Sequence, residues 1–138
     1  MLDTSKTAPA VDAWLREAKA DPTAAECGMY LTHNGVVRAT QKAEARGVDT
    51  DGVSPGKKVG GLLFSYDAAK VQAAIESTLA MPGIGYVRVW LANGELAVGD
   101  DIMFVLIGGD IRPRVVDALQ ALVSTIKNEC VSEIEREA

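Results

Sequence analysis

Tyr86-Val-Arg-Val-Trp-Leu91 and Ile102-Met-Phe-Val-Leu-Ile107 bracket the polar stretch Ala92-Asn-Gly-Glu-Leu-Ala-Val-Gly99. Both outer runs are rich in Val, Ile and aromatic residues, and their length suits a strand better than a helix. The eight residues between them read as a turn region, so the two strands form a hairpin and the sheet is mixed or antiparallel. Gly108-Gly109-Asp110 follows as a flexible joint, with Asp110 placed to cap a helix and Pro113 suited to its first turn. Val115, Val116, Leu119, Leu122, Val123 and Ile126 then form an apolar stripe along one helical face. A hairpin feeding a helix that must bury such a stripe is the unit of an α+β fold. The expected architecture has two layers, with helices packed mainly on one face of the sheet.

Working outward, Tyr66-Asp67 leads into a second helix through about Ala80, its inner face carried by Val71, Ile75 and Leu79. Val59 to Phe64 is a strand containing a Gly-Gly pair, which marks a bulge or a close backbone approach. Val11, Trp14, Leu15 and Ala18 mark a short amphipathic helix that Asp21-Pro22 ends. Cys27 to Leu31 is a strand running up to the turn signal His33-Asn34-Gly35. Val36-Val37-Arg38 either continues it or begins its neighbour. Residues 39 to 57 lack periodicity and are rich in Gly, Asp, Ser and Pro. A loop of that length is either a solvated connection or, given Arg38, Lys42, Arg46, Lys57 and Lys58 in or beside it, an anion-gripping one. The acidic tail, Glu129 to Ala138, reads as a frayed or partner-dependent helix.

At 138 residues the chain is expected to form a single domain, 1–138, able to bury a core without disulfides or metal. Aromatic residues are only 5 % of it, so that core falls to Val, Leu, Ile and Ala. A net charge of −5 argues against nucleic acid as a partner, because such binding needs a basic field to displace counterions. No apolar run reaches the roughly 20 residues that span a bilayer, and Met1 to Pro9 has no apolar signal segment, so a cytoplasmic protein is expected. Cys27 and Cys130 lie in no ligand spacing and read as core thiols. One histidine, His33, in a turn offers neither a metal set nor a catalytic triad, and no phosphate-loop or dinucleotide fingerprint occurs. No cofactor or metal is expected.

What remains is a set of cations. Lys127 at the end of the last helix complements the helix dipole. Arg112 stands at the start of that helix, where the dipole disfavours a cation. An anionic ligand, or a carboxylate such as Glu95 or Asp100, would account for it.

These residues, in this order, resemble the large, catalytic subunit of molybdopterin synthase (a MoaE-like pattern) over nearly the whole chain. Gly35-Val-Val-Arg38 is similar to the family's Gly-x-Val-Arg after the first strand. Val59-Gly-Gly-Leu62 and Gly94-Glu-Leu-x-x-Gly-Asp100 follow in register. Arg112 resembles the arginine of a His-Arg pair, and Lys127 the first of two lysines closing the last helix. The resemblance implies an α+β homodimer whose small ubiquitin-like partner inserts a glycine thiocarboxylate tail, passing sulfur to cyclic pyranopterin monophosphate. It implies Lys127 as catalytic lysine, with Arg38, Arg112 and the loop lysines Lys57 and Lys58 binding anions. The chain departs from the pattern at several polar positions. The first His-Arg pair reads Leu91 or Ala92 with Asn93, the second histidine is Ile111, a strand Glu is Ser65, and the second lysine's place falls to Ile134 or Glu135. Two readings follow: a synthase working with a reduced set of residues, or a diverged homologue that binds a partner or pterin without turnover. On either, Arg112 and Lys127 are expected on the rim of one pocket.

Overall fold

The computed structural model describes residues 1–40 and 58–138. Strand β1 (Leu2–Asp3) is followed by helix α1 (Val11–Lys19), a 3-10 turn (Pro22–Glu26), β2 (Met29–Val36) and β3 (Val59–Tyr66). Helix α2 (Ala68–Leu79), β4 (Ile84–Leu91), β5 (Gly94–Ala97), β6 (Asp101–Gly109) and α3 (Arg112–Thr125) come next. A π turn (Ile126–Cys130) then leads into β7 (Val131–Glu137). The fold is α+β, as expected, but the strands form two sheets, β1-β4-β6-β2 and β5-β3-β7.

Met103 to Ile107 are all buried, so β6 has a core on both faces, which is why its sequence is apolar without alternation. Antiparallel β2 and β4 take its two edges, and β1 adds to β4 in parallel, making the first sheet mixed. The apolar stripe of α3 sends Val115, Ala118, Leu122 and Ile126 into the core. Asp110, expected as its cap, sits one residue early. Ile111 is the cap residue, while the Asp110 carboxylate accepts from the Ile111 N–H at 2.7 Å and pairs with Arg114 at 2.7 Å. Helix α2 buries Val71, Ala74, Ile75 and Thr78; Leu79 is 41 % exposed, and the Thr78 hydroxyl donates to the Ala74 carbonyl at 2.8 Å.

Opposite faces of the first sheet are told apart by adjacent glycines. A side chain at Gly108 would strike the Tyr30 ring, and one at Gly109 would strike Val115 of α3. The Tyr30 hydroxyl donates to the Ala18 carbonyl of α1, so α1 covers the Tyr30 side and α3 the other. On the α1 side Arg88 of β4 lies 4.6 Å from the Trp14 ring centroid and pairs with Asp3 and Glu17. Burial works against the Asp3 carboxyl, but hydrogen bonds from Ser5 and the Arg88 charge hold it below the usual aspartate range. Trp90 and Phe104 pack with ring centroids 6.1 Å apart.

Three local expectations are corrected. His33-Asn34-Gly35 is no turn: β2 runs unbroken and pairs with β6 residue for residue through Gly35. The Asn34 amide, exposed, donates to the Asp101 carboxylate at 3.1 Å and the Met103 carbonyl at 3.2 Å, so the Asn-Gly pair is held extended. The stretch 92–99 is more than a turn, since β5 leaves the first sheet and pairs with β3 in the second. The tail is a strand, not a helix: β7 pairs with β3 from Tyr66↔Val131 to Val59↔Glu137. Its Val131 and Ile134 have helical spacing, but β3 offers a free edge whose backbone hydrogen bonds outweigh that weak local preference. Cys27 and Cys130 are free thiols, the second buried; Cys27 is only half-buried.

Leu106 is fully buried at the middle of β6 and shares a face with Arg88, its register partner. Leu106→Ala should destabilise the protein by about 2–5 kcal/mol through the cavity it leaves. The measurement is the urea unfolding midpoint at constant m-value.

Candidate functional site

Where the two sheets approach one another, a cavity of about 70 Å³ opens. Its apolar wall is Val37, Val59, Leu62, Ile102 and Met103; its polar wall is Arg38, Lys127, Glu133 and Glu135. Each of these side chains arrives there for a local reason.

Arg38 is delivered by the end of β2. The β2–β6 register shifts between Gly35↔Met103 and Val36↔Asp101, leaving Ile102 as the extra residue. Such a bulge bends the strand that carries it and re-aims its side chains, and Ile102 lines the cavity. Val37 is then clamped to the β5–β6 turn, donating to Asp100 at 2.9 Å and accepting from Gly99 at 2.8 Å. Gly99 has φ +95°, a conformation that favours glycine, and the Asp100 carboxylate accepts from the Ala97 N–H at 2.8 Å to close the turn. The Gly-Asp of the hairpin is thus structural: it fixes Val37 and, through it, Arg38. The Arg38 Nε donates to the Thr40 carbonyl at 3.2 Å. Val59 donates to Ala39 at 2.8 Å, bringing both flanks of residues 41–57 to the cavity.

Lys127 lies in the π turn, where α3 widens before the chain reverses into β7. A π turn carries an extra residue per turn and re-aims side chains at the helix end, a device frequent at functional sites. Beyond it, alternation along β7 turns Val131, Glu133 and Glu135 inward and Ser132, Ile134 and Arg136 outward. Glu135 is only 8 % exposed, opposite Leu62 in the register, and Glu133 is opposite Phe64. Of the two candidates for the family's second lysine, Glu135 faces the cavity and Ile134 faces solvent. Two cations therefore share the cavity with two carboxylates, and their formal charges cancel.

Arg112 is not brought to this cavity. It is exposed in the first turn of α3, and makes no hydrogen bond or ion pair among the described residues, with Glu95, Asp100 or any other carboxylate. Fourteen helical residues at about 1.5 Å each separate it from the π turn by roughly 21 Å, so one small anion cannot touch both. Lys58 is exposed at the start of β3, outside the cavity lining, and its carbonyl accepts from Ala138 at 2.9 Å. Lys57, with the rest of the expected anion-gripping loop from 41 to 57, lies outside the described residues. Among the described residues no His, Cys, Asp and Glu cluster could hold a metal ion.

His33, read from the sequence as a turn residue, is beside this site. It shares a face of β2 with Gly35, which lines the cavity, and its Nε2 is buried without a hydrogen-bond partner. Burial first, and the Lys127 charge second, push its pKa below the ordinary histidine value of about 6.5. Sequence reasoning missed Glu133 and left Glu135 as one of two candidates for the second lysine's place, because their inward direction exists only once β7 is a strand. The signal for His33 was Asn-Gly beside it, and that signal pointed the wrong way.

A family model described as "MoaE protein" matches residues 5–129. Among solved structures, a molybdopterin cofactor biosynthesis protein E from Burkholderia multivorans is similar at TM-score 0.67 and 15 % identity, covering 99 % of this chain and 91 % of that one. A complex of subunits 1 and 2 of molybdopterin-converting factor from Helicobacter pylori aligns at TM-score 0.66 and 13 % identity, over 97 % and 83 %. A molybdopterin synthase from Staphylococcus aureus aligns at 0.64 and 15 %, over 82 % and 77 %. No curated protein matches the sequence.

The site makes two predictions. With its folded pKa below the unfolded one, neutral His33 is tolerated above about pH 6.5, whereas below it the unfolded chain takes up the proton first. Its contribution to stability should be lost as pH falls from about 6.5 through the folded pKa, and His33→Gln should flatten that slope in urea unfolding at pH 7.5 and pH 5. Glu135→Gln, removing one carboxylate from the cavity wall, should tighten pyrophosphate binding roughly three- to tenfold by calorimetry at low salt.

Proposed function

We infer that the chain, which belongs to the MoaE protein family, works in molybdenum cofactor biosynthesis as the large subunit of a molybdopterin synthase. In this reading a small ubiquitin-like sulfur-carrier subunit docks on it and presents a C-terminal glycine thiocarboxylate. Cyclic pyranopterin monophosphate is the acceptor, and the protein acts as a homodimer. The Helicobacter pylori structure, a complex of two such subunits, supports a small-subunit partner.

The observation that carries the reading is the convergence of Arg38 and Lys127 on one cavity, from elements far apart in the chain. Sulfur transfer from a thiocarboxylate needs its carbonyl polarised and the negative charge of its tail, or of the substrate phosphate, held in place. An arginine fork suits a carboxylate or phosphate, because its planar donors match two oxygens at once. An ammonium next to it engages a carbonyl oxygen or stabilises charge that develops on it. The cavity is small, so it suits a slender tail or one end of a ligand rather than a whole pterin. Glu133 and Glu135 stand on the same wall, so their charge opposes an incoming anion that Arg38 and Lys127 attract. Arg112 and Lys58 serve substrate binding in this proposal only from outside this cavity, and Lys57 is assigned to it on the resemblance alone.

Mixing the protein with a thiocarboxylated small subunit and cyclic pyranopterin monophosphate in a single turnover should give molybdopterin. Lys127→Ala should slow that turnover about 10²–10³-fold, the range for losing one group that stabilises developing charge. Arg38→Ala should weaken tail binding by about 1.5–3 kcal/mol, roughly ten- to a hundredfold. Absence of product, with the small subunit still bound by calorimetry, would instead mark a binding homologue without turnover.

A further inference from the structure

Among the described residues, His33 is the polar side chain beside the cavity whose placement the proposed reaction leaves unexplained. Its imidazole is on the face of β2 that α3 covers, since its register partner Val105 is fully buried and Gly35, two residues on, opens on the cavity. Among the described residues only its Nε2 and the Arg88 Nε are buried side-chain polar atoms without a partner. Arg88 is already paired through its other nitrogens, so its bare Nε is the remainder of a satisfied group. His33 makes no hydrogen bond at Nε2. A buried polar atom left so is costly, and its retention is explained when a ligand supplies the missing bond.

The geometry says which side that ligand would come from. At residue 35 the first carbon of a side chain would stand 3.8 Å from His33 Nε2 and 3.6 Å from Met103 Cβ, ordinary contact distances. Glycine leaves that space open to the cavity. An atom seated against Gly35 therefore meets the imidazole edge, while Arg38 and Lys127 stand on the same cavity's wall. We propose that His33 is a ligand-binding residue of this cavity, its Nε2 accepting a hydrogen bond from a neutral N–H of a ligand whose anionic end lies between Arg38 and Lys127. An extended peptide tail ending in a glycine carboxylate or thiocarboxylate has both features, an anionic terminus and main-chain amides close behind it. The charge acting on the imidazole is that of Lys127 in the π turn; Arg38 at the end of β2 and Glu133 and Glu135 on β7 line the cavity beside it. Burial together with the Lys127 charge disfavours the imidazolium, and in the neutral Nδ1–H tautomer Nε2 carries the lone pair for such a donor.

This inference rests on the proposed function, and the test separates the two. Because the chain has a single histidine, its imidazole nitrogens give one set of signals in a long-range proton–nitrogen spectrum. The probe is a short synthetic peptide ending in glycylglycine, titrated into the whole protein, with binding measured independently by calorimetry. The Nε2 resonance should move at saturation. His33→Phe should bind about tenfold more weakly, and His33→Gln, whose amide oxygen also accepts, should recover part of the loss. Unchanged thermal midpoints would show that both variants are folded. Saturable binding with a still Nε2 resonance and an unimpaired His33→Phe variant would overturn the role of His33 and leave the proposed function standing. Equal weakening in both variants would assign His33 to packing and also overturn it. If the wild-type protein does not bind the peptide, the tail-binding reading and this inference fall together.

Discussion

Strand β6 has no solvent-facing side: residues 103–107 are buried above and below, and β2 and β4 occupy both of its edges. Everything near the cavity is placed relative to it. Antiparallel pairing sets β2 in register up to Gly35, and beyond the shift at Ile102 the β5–β6 turn holds Val37 so that Arg38 meets the cavity. The helix that leaves β6 lies back across β6 and β2, since its apolar stripe has no other surface of that size to cover. Its far end, where it loosens into a π turn, therefore stands over the same end of β2, and Lys127 is carried there. Two cations 89 residues apart in the sequence share a site because one strand is hydrophobic on both faces.

The second sheet closes the cavity and sets its charge. β3 receives β5 on one edge and β7 on the other, and its buried residues Leu62 and Phe64 share a face with Leu96, Glu133 and Glu135. Glu135 is 8 % exposed and faces a cavity that holds an arginine and a lysine. Placing a carboxylate so deep is tolerable only with cations or hydrogen-bond donors near it. The same cations are the groups that the proposed chemistry needs for a phosphate or a thiocarboxylate. Cations and carboxylates thus line one cavity, and the affinity of the site for an anion depends on the balance between them.

Much of the candidate site was legible along the chain. Gly35-Val-Val-Arg38, the Gly-Asp of the hairpin and the lysine at the end of the last helix were each visible, and Arg38 and Lys127 do line one cavity. The structural meaning of the Gly-Asp was not visible: it closes a turn whose backbone holds Val37. Arg112 was misjudged for a simple metric reason, since two residues at opposite ends of a helix of about 21 Å cannot meet at one small anion. His33 was misread because Asn-Gly is a strong local turn signal, and nothing local reveals that Asn34 will be held extended by Asp101 and Met103 from another strand.

From the sequence by itself came those elements whose signal repeats within the element: the stripes of α1, α2 and α3, the apolar runs of β4 and β6, and hence the α+β class. Helix formation is local, each turn bonding to the next, so the pattern that forms it can be read in place. Only the tertiary structure decided that β5 leaves the first sheet for the second, that the acidic tail is a strand, and that Glu133, Glu135 and His33 border the cavity. A strand is completed by backbone groups of residues far away in the chain, and which partner edge is free is a property of the assembled fold.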